Sequence, residues 1–287
     1  MTRPMILAGE TGAILARHSE LLAVSPRRRA FEIGVPVAML LAMVFSIWWL
    51  GISVGQLGEG LETLAKFVAM MIPPATGGHL HLFLRGMAET LAIAFLGTLI
   101  AAVVGVPLAL LAAANTAPSH ALRFLIRRVL DTIRGIDTLI WALVFVSAVG
   151  LGPFAGILAI AVSDTGTFGK LFSEAIESTE ERARESVLAS GGTVWMGIRF
   201  GLLPQVLPVI ASQVLYYFES NTRSATIIGI VGAGGIGLQL SEAIRTYEFD
   251  QVAFIVLLIL VAVAAIDWIS GRLRFAIIGR RHVQSES

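Results

Sequence analysis

The stretch Ala225–Gly237, "ATIIGIVGAGGIG", decides how this chain is read. An apolar run leads into Gly232, Gly234 and Gly237, which fit G-x-G-x-x-G, and Asp250 follows at about the distance of a ribose-binding carboxylate. Taken alone, the stretch is the first strand and phosphate loop of a dinucleotide-binding domain. Its surroundings exclude that reading. Asp250 opens sixteen residues, Gln251 to Ile266, that carry no charge, and the sequence then leaves no room for a doubly wound sheet.

The bulk composition agrees. The 287 residues are 56% hydrophobic and 14% charged, against about 25% charge in soluble domains. The mean hydropathy is +0.81. A net charge of +1 gives no nucleic-acid signal, and the lack of cysteine excludes disulfides, thiol catalysis and thiolate metal sites. Apolar segments approaching the roughly 20 residues that cross a bilayer recur along the chain. They are Ile33–Ile52, Gly86–Ala114, Ile136–Val149 (extended backwards by the basic amphipathic "LRFLIRRVLDTIR", Leu122–Arg134), Pro153–Phe172, Leu207–Val231 and Gln251–Ile269. The expected fold is therefore an all-α polytopic membrane protein with six transmembrane helices.

Lysine and arginine set the orientation. With both termini in the cytoplasm, 17 of them fall inside and 4 outside: Lys66, Arg85, Arg223 and Arg245. The expected organisation is a cytoplasmic arm over 1–30, a first span and external connection over 31–85, a core over 86–275 and a cytoplasmic tail over 276–287. His79 and His81 lie in the external connection without a carboxylate cluster, so they read as a solvated pair and no metal site is expected. Among the inside segments, Ser173–Gln205 is charged, helical, broken at Gly191-Gly192 and helical again to Pro204, which suits a docking element. H-E-x-x-H, G-x-S-x-G and G-x-x-x-x-G-K-[ST] are all missing from the sequence, so no catalytic role is expected and ATP hydrolysis would belong to another chain.

Glu185, Gly191, Leu203 and Pro204 stand at the spacing of the loop shared by permeases of binding-protein-dependent ABC importers, with Glu185-Ser186-Val187 as the E-A-A triplet and Gly201 where the pattern has Ile. The flanking "IWALVFVSAVGLGPFAGILAIAVSDTGTFGKLFSEAIE" (Ile140–Glu177) and "YYFESNTRSATIIGIVGAGGIGLQLSEAIR" (Tyr216–Arg245) resemble the permease of phosphonate importers. The resemblance runs over roughly residues 86–275. It implies a type I ABC importer permease in the bacterial inner membrane. Two copies would form a homodimeric pore, two ATPase subunits would hold ATP and Mg below it, and a periplasmic or lipid-anchored binding protein would deliver substrate above. The chain itself would bind no cofactor. The coupling helix region would comprise Glu185, Ser190, Gly191, Gly192, Leu203 and Pro204. The substrate would be phosphonate or a related small oxyanion: phosphite, hypophosphite or phosphate. A secondary transporter or channel would share the hydropathy but would not need a coupling loop.

Polar groups at membrane depth are costly unless paired or functional. Asp164, Thr165 and Thr167 form one candidate set for the translocation path. Ser220, Asn221, Thr222, Arg223, Ser224 and Thr226 form another. Serine and threonine also bond back to their own helix carbonyls, so both readings stand. Glu219 and Arg223 are four residues apart with the acid first, the favourable order for an ion pair on a helix. The pair reads first as structural. In the alternative, Arg223 meets the passing oxyanion and Glu219 holds it.

Overall fold

The computed structural model describes residues 26–51 and 53–282. Expectations for residues 1–25 and 283–287, most of the arm and part of the tail, lie outside the described residues. Among those described, every regular element is helical. The chain divides into two compact units, residues 1–66 and 67–287.

In the first unit, α1 (Pro26–Trp49) carries Pro36 in its interior. Its side chains from Phe31 onward are exposed, including Phe45, Trp48 and Trp49, whose rings lie 5.9–6.0 Å apart in two pairs. An apolar helix with no buried face suits a lipid surround. The amphipathic α2 (Val54–Met70) begins in this unit and carries the exposed pair Lys66–Glu62 at 2.8 Å.

The second unit is built on α3 (Leu80–Ala112), α4 (His120–Arg134), α5 (Thr138–Val149), α6 (Pro153–Glu177), α7 (Glu181–Ala189), the single turn α8 (Val194–Met196), a π-helical segment Gly197–Leu202, α9 (Leu203–Ile230), α10 (Ile236–Arg245) and α11 (Phe249–His282). Lipid offers no hydrophobic drive for helix association, so close packing of small residues does the work. Along α3 and α6 this is explicit. A Cβ at Gly97 would sit 2.7 Å from Ile160 Cβ, and one at Gly105 would sit 2.9 Å from Phe168 Cβ. Buried alanines and phenylalanines fill the seam, with Ala101, Ala102 and Ala109 against Phe168 and Phe172, which continues to Leu202 and Val206. A second cluster joins Ile93 and Ile160 to Ala225 and Ile228 of α9, and a third joins Phe83 and Met87 to Ile236 and Ile255.

Among the described residues, four helices are long and apolar enough to cross a membrane: Phe31–Trp49, Leu80–Ala112, Val194–Ile230 and Phe249–Ala276; α4 and α5, bent by 85°, make a fifth if they are one broken span. These account for five of the six expected spans. At 12 residues α5 is about 18 Å long, too short for the roughly 30 Å hydrocarbon core without α4. The remaining segment is α6. Its 25 residues give about 37 Å, but it is too polar to qualify by composition. Its Ser163, Asp164, Thr165 and Ser173 are buried among neighbouring helices, which is how a polar helix is tolerated at membrane depth.

Candidate functional site

The segment expected to couple to an ATPase is made of α7, a left-handed turn and the π-helical segment. Gly191 has φ +87°, a conformation that side chains rarely adopt. It reverses the chain after α7, and the Gly192 N–H donates to Val187 O at 3.0 Å. Glu185, Ser190 and Gly191 are exposed and Gly192 is half-buried. Thr193 caps α8, and the turn presents Trp195, 75% exposed, beside Val194, Met196 and Phe200. Leu203 and Pro204 open α9 directly from the π-helical segment, with the Leu203 N–H donating back to Ile198 O. Gly201, where the importer pattern has Ile, is accounted for by packing. A Cβ there would lie 2.7 Å from Arg184 Cα, so α7 rests directly on the π-helical backbone.

Sequence reading missed what ties this segment to the core. Arg184 Nη1 donates to Asn115 O beyond the end of α3, while Asn115 Nδ2 donates to Ile176 O of α6 at 2.9 Å. Close by, Glu177 accepts from Arg123 (3.1 Å), Arg127 (2.8 Å) and the Ala114 N–H (2.6 Å), and both arginine Nε groups donate to Ala112 O. Cations at the carboxyl end of α3 neutralise its partial negative charge. The arginines of α4, read as topogenic, are therefore also structural ties. Lys170 and Arg128 share Asp131 at 3.0 and 2.9 Å.

The path candidates separate into two groups. Asp164, Thr165, Asn221, Thr222 and Thr226 are buried within the chain. Asn221 Nδ2 donates both to Asp164 Oδ2 and to Thr98 Oγ1, the latter at 2.8 Å, and Thr98 in turn donates to Ala94 O at 2.7 Å. This network locks α3, α6 and α9 together. The hydroxyls of Thr165, Thr222, Ser224 and Thr226 bond back to carbonyls four residues earlier. By contrast Thr167, Ser220 and Ser224 are half-buried and Arg223 is exposed.

Glu219 has two cationic partners where the sequence suggested one. Arg223 Nη1 lies 3.4 Å from its Oε1, and Arg274 Nη2, from α11, lies 3.1 Å from its Oε2. The Glu219 side chain is 10% exposed, that of Arg274 27% and that of Arg223 49%. Arg274 also lies 6.0 Å above the Tyr216 ring.

The opening glycines form the corner between α9 and α10. Gly232, Gly234 and Gly235 have φ of +97°, +82° and +77°. The Gly235 N–H donates to Glu89 Oε1 at 2.9 Å and the Ile236 N–H to Thr90 Oγ1 at 2.8 Å. A glycine corner feeding a helix N-terminus does hold an anion here, and the anion is the chain's own Glu89 carboxylate. At Gly237 a Cβ would collide with Thr226 O and lie 2.9 Å from Gly229 Cα. Close backbone packing therefore explains the motif.

Comparison with known proteins agrees with this architecture. The family of binding-protein-dependent transport system inner membrane components matches residues 105–279. The chain is 41% identical over 255 residues, 89% of each chain, to the "Putative phosphite transport system permease protein HtxC" of Stutzerimonas stutzeri. It is 37% identical over 245 residues to the phosphite transport system permease protein PtxC of the same organism, covering 85% of this chain and 88% of that one. Among solved structures, an inward-facing MetNI methionine ABC transporter chain superposes with a TM-score of 0.63 at 21% identity, covering 71% of this chain and 99% of that one. At that identity the likeness establishes the fold, a type I importer permease. Fold and sequence together establish that this chain belongs to the family of binding-protein-dependent transport system inner membrane components, the permease subunits of ABC importers.

Proposed function

We propose that the chain imports phosphite or a closely related phosphorus oxyanion as one half of a homodimeric permease, driven by a partner ATPase and fed by a substrate-binding protein. The observation that carries the substrate class is the likeness to HtxC over nine-tenths of both chains. Residues 86–275 form the permease core, and both termini lie in the cytoplasm. Glu185 and the exposed Trp195 turn face the ATPase, which holds ATP and Mg. ATP binding draws the two coupling segments together, and the spans rock about their packed seams to open outward. The ties from Arg184 to Asn115 and from Asn115 to Ile176 support α7 as the lever on α3 and α6.

Uptake by the complex reconstituted with its ATPase and binding protein tests this reading. Radiolabelled phosphite should accumulate in an ATP-dependent way, with methylphosphonate and phosphate as competitors. ATP-dependent uptake of none of the three would overturn the substrate class. Differently tagged copies of the permease should co-purify in an active complex. A requirement for a second, non-identical permease would replace the homodimer with a heterodimer.

A further inference from the structure

Glu219 carries one negative charge and is shared by two guanidiniums. Arg274 is the nearer and the more buried of the two, at 3.1 Å and 27% exposed; Arg223 is at 3.4 Å and 49% exposed. Arg274 also lies 3.9 Å from Asp267 Oδ1, so the four charges balance, and Arg223 is the more loosely paired and more exposed of the two guanidiniums. Asp164, the other buried carboxylate nearby, is occupied by Asn221 on another face of α9.

The direction in which Arg223 projects matters as much as the charge. Tyr216, Ser220, Arg223 and Ile227 recur at i, i+4, i+7 and i+11, one stripe of α9. Tyr216, Arg223 and Ile227 on it are exposed, and Ser220 is half-buried. The opposite faces are buried, with Asn221, Ala225 and Ile228 against α3 and α6. In the proposed dimer the uncovered stripe meets lipid, the second permease copy or a water-filled space between the copies. A guanidinium facing hydrocarbon is expensive, and intramembrane cations turn instead to a bundle interior or an aqueous cavity. The stripe with Arg223 and Ser220 therefore fits the aqueous side.

Building on the proposed function, we infer that Arg223 is an oxyanion contact in the translocation path, with Glu219 and Arg274 as its positioning residues. A planar guanidinium matches two P–O groups at once. Glu219, fixed by Arg274, competes for the same donors, so the bound anion is held weakly and released. This gives the three side chains distinct roles: Arg274 holds Glu219, Glu219 aims and tempers Arg223, and Arg223 touches the substrate.

The chain lacks cysteine, so Arg223→Cys is a unique handle. In the complex with ATPase and binding protein, Arg223→Cys should lower phosphite uptake at least about tenfold. Attaching a thiol-linked ethylammonium group should restore a third or more of the lost rate, while an ethylsulfonate group should not. The cysteine-free permease with the same partners, treated identically, corrects for reaction elsewhere. Uptake within twofold of wild type, or no recovery with the cation, overturns the inference. If Arg223→Cys does not reach wild-type levels in the membrane, Arg223→Lys decides, because it keeps a cation beside Glu219 but loses the planar fork. The expected result is a KM for phosphite-loaded binding protein raised at least threefold; unchanged KM and kcat overturn the assignment. A wild-type complex that takes up no phosphorus oxyanion sinks the functional reading and this inference together, whereas a transporting wild type with an indifferent Arg223→Cys sinks the inference alone.

Discussion

Asn221 donates to both Asp164 and Thr98 and is 5% exposed, so its loss strands a carboxylate at the junction of three helices. An orphaned buried group costs about 1–3 kcal/mol, more when charged. Asn221→Ala should therefore lower the thermal midpoint of the detergent-purified protein by several degrees, while Ser220→Ala, on the half-buried stripe, should move it little. Equal midpoints for the two variants would mean that the Asp164 network contributes nothing. Glu219 gives a second residue-scale expectation. Removing its carboxylate takes the near partner from both Arg223 and Arg274, leaving Arg274 only Asp267 at 3.9 Å, whereas removing Arg223 leaves Glu219 paired with Arg274. Glu219→Gln should thus reduce protein level more than Arg223→Gln, and Glu219→Gln/Arg274→Gln should recover part of the loss. The reverse order would make Arg223 the main structural partner.

At the scale of elements, the proposed coupling segment depends on close backbone contact. Gly201→Ile would bring this chain nearer to the importer pattern, yet its Cβ would lie 2.7 Å from Arg184 Cα. The variant should insert into the membrane at normal levels and fail to co-purify the ATPase, because α7 would be displaced from its seat. ATPase retention and transport at wild-type rates would show that α7 has another resting place. Glu185→Lys tests the exposed face of the same helix and should also weaken the ATPase association, with no change in thermal midpoint. Arg184→Ala should instead keep the ATPase bound while uncoupling hydrolysis from uptake, since it cuts the tie to Asn115 without altering the docking surface. Loss of ATPase binding in that variant would make Arg184 part of the seat.

For the whole molecule, orientation is testable with single cysteines. Gly77 has φ +57°, and a Cβ there would meet Gln251 Nε2 at 2.6 Å, so it is a poor reporter of the external connection. His81 is exposed and free of that strain. His81→Cys should react with an impermeant maleimide in intact cells, and Ser190→Cys only after permeabilisation. Labelling of position 190 from outside would reverse the orientation.

Local patterns in the sequence determined the helical class, the approximate position of the long apolar helices, the break at Gly191-Gly192 and the start of α9 near Pro204, because hydropathy, glycine and proline act over a few residues; the helix ends were not legible, with α3 starting at Leu80 and not Gly86 and α11 running to His282 and not Ile269. The Glu219–Arg223 spacing was legible for the same reason: helix geometry fixes neighbours at i+4. Tertiary structure alone decided what those groups meet. Arg274 lies 55 residues from Glu219, and Glu89 and Thr90 lie 146 residues from the N–H groups they accept from. No local period encodes such distances. The glycines that opened this reading show the division most sharply. Their spacing alone suggested a phosphate loop, and only the packing of α3 beneath α10 showed a corner whose N–H groups bind Glu89 and Thr90.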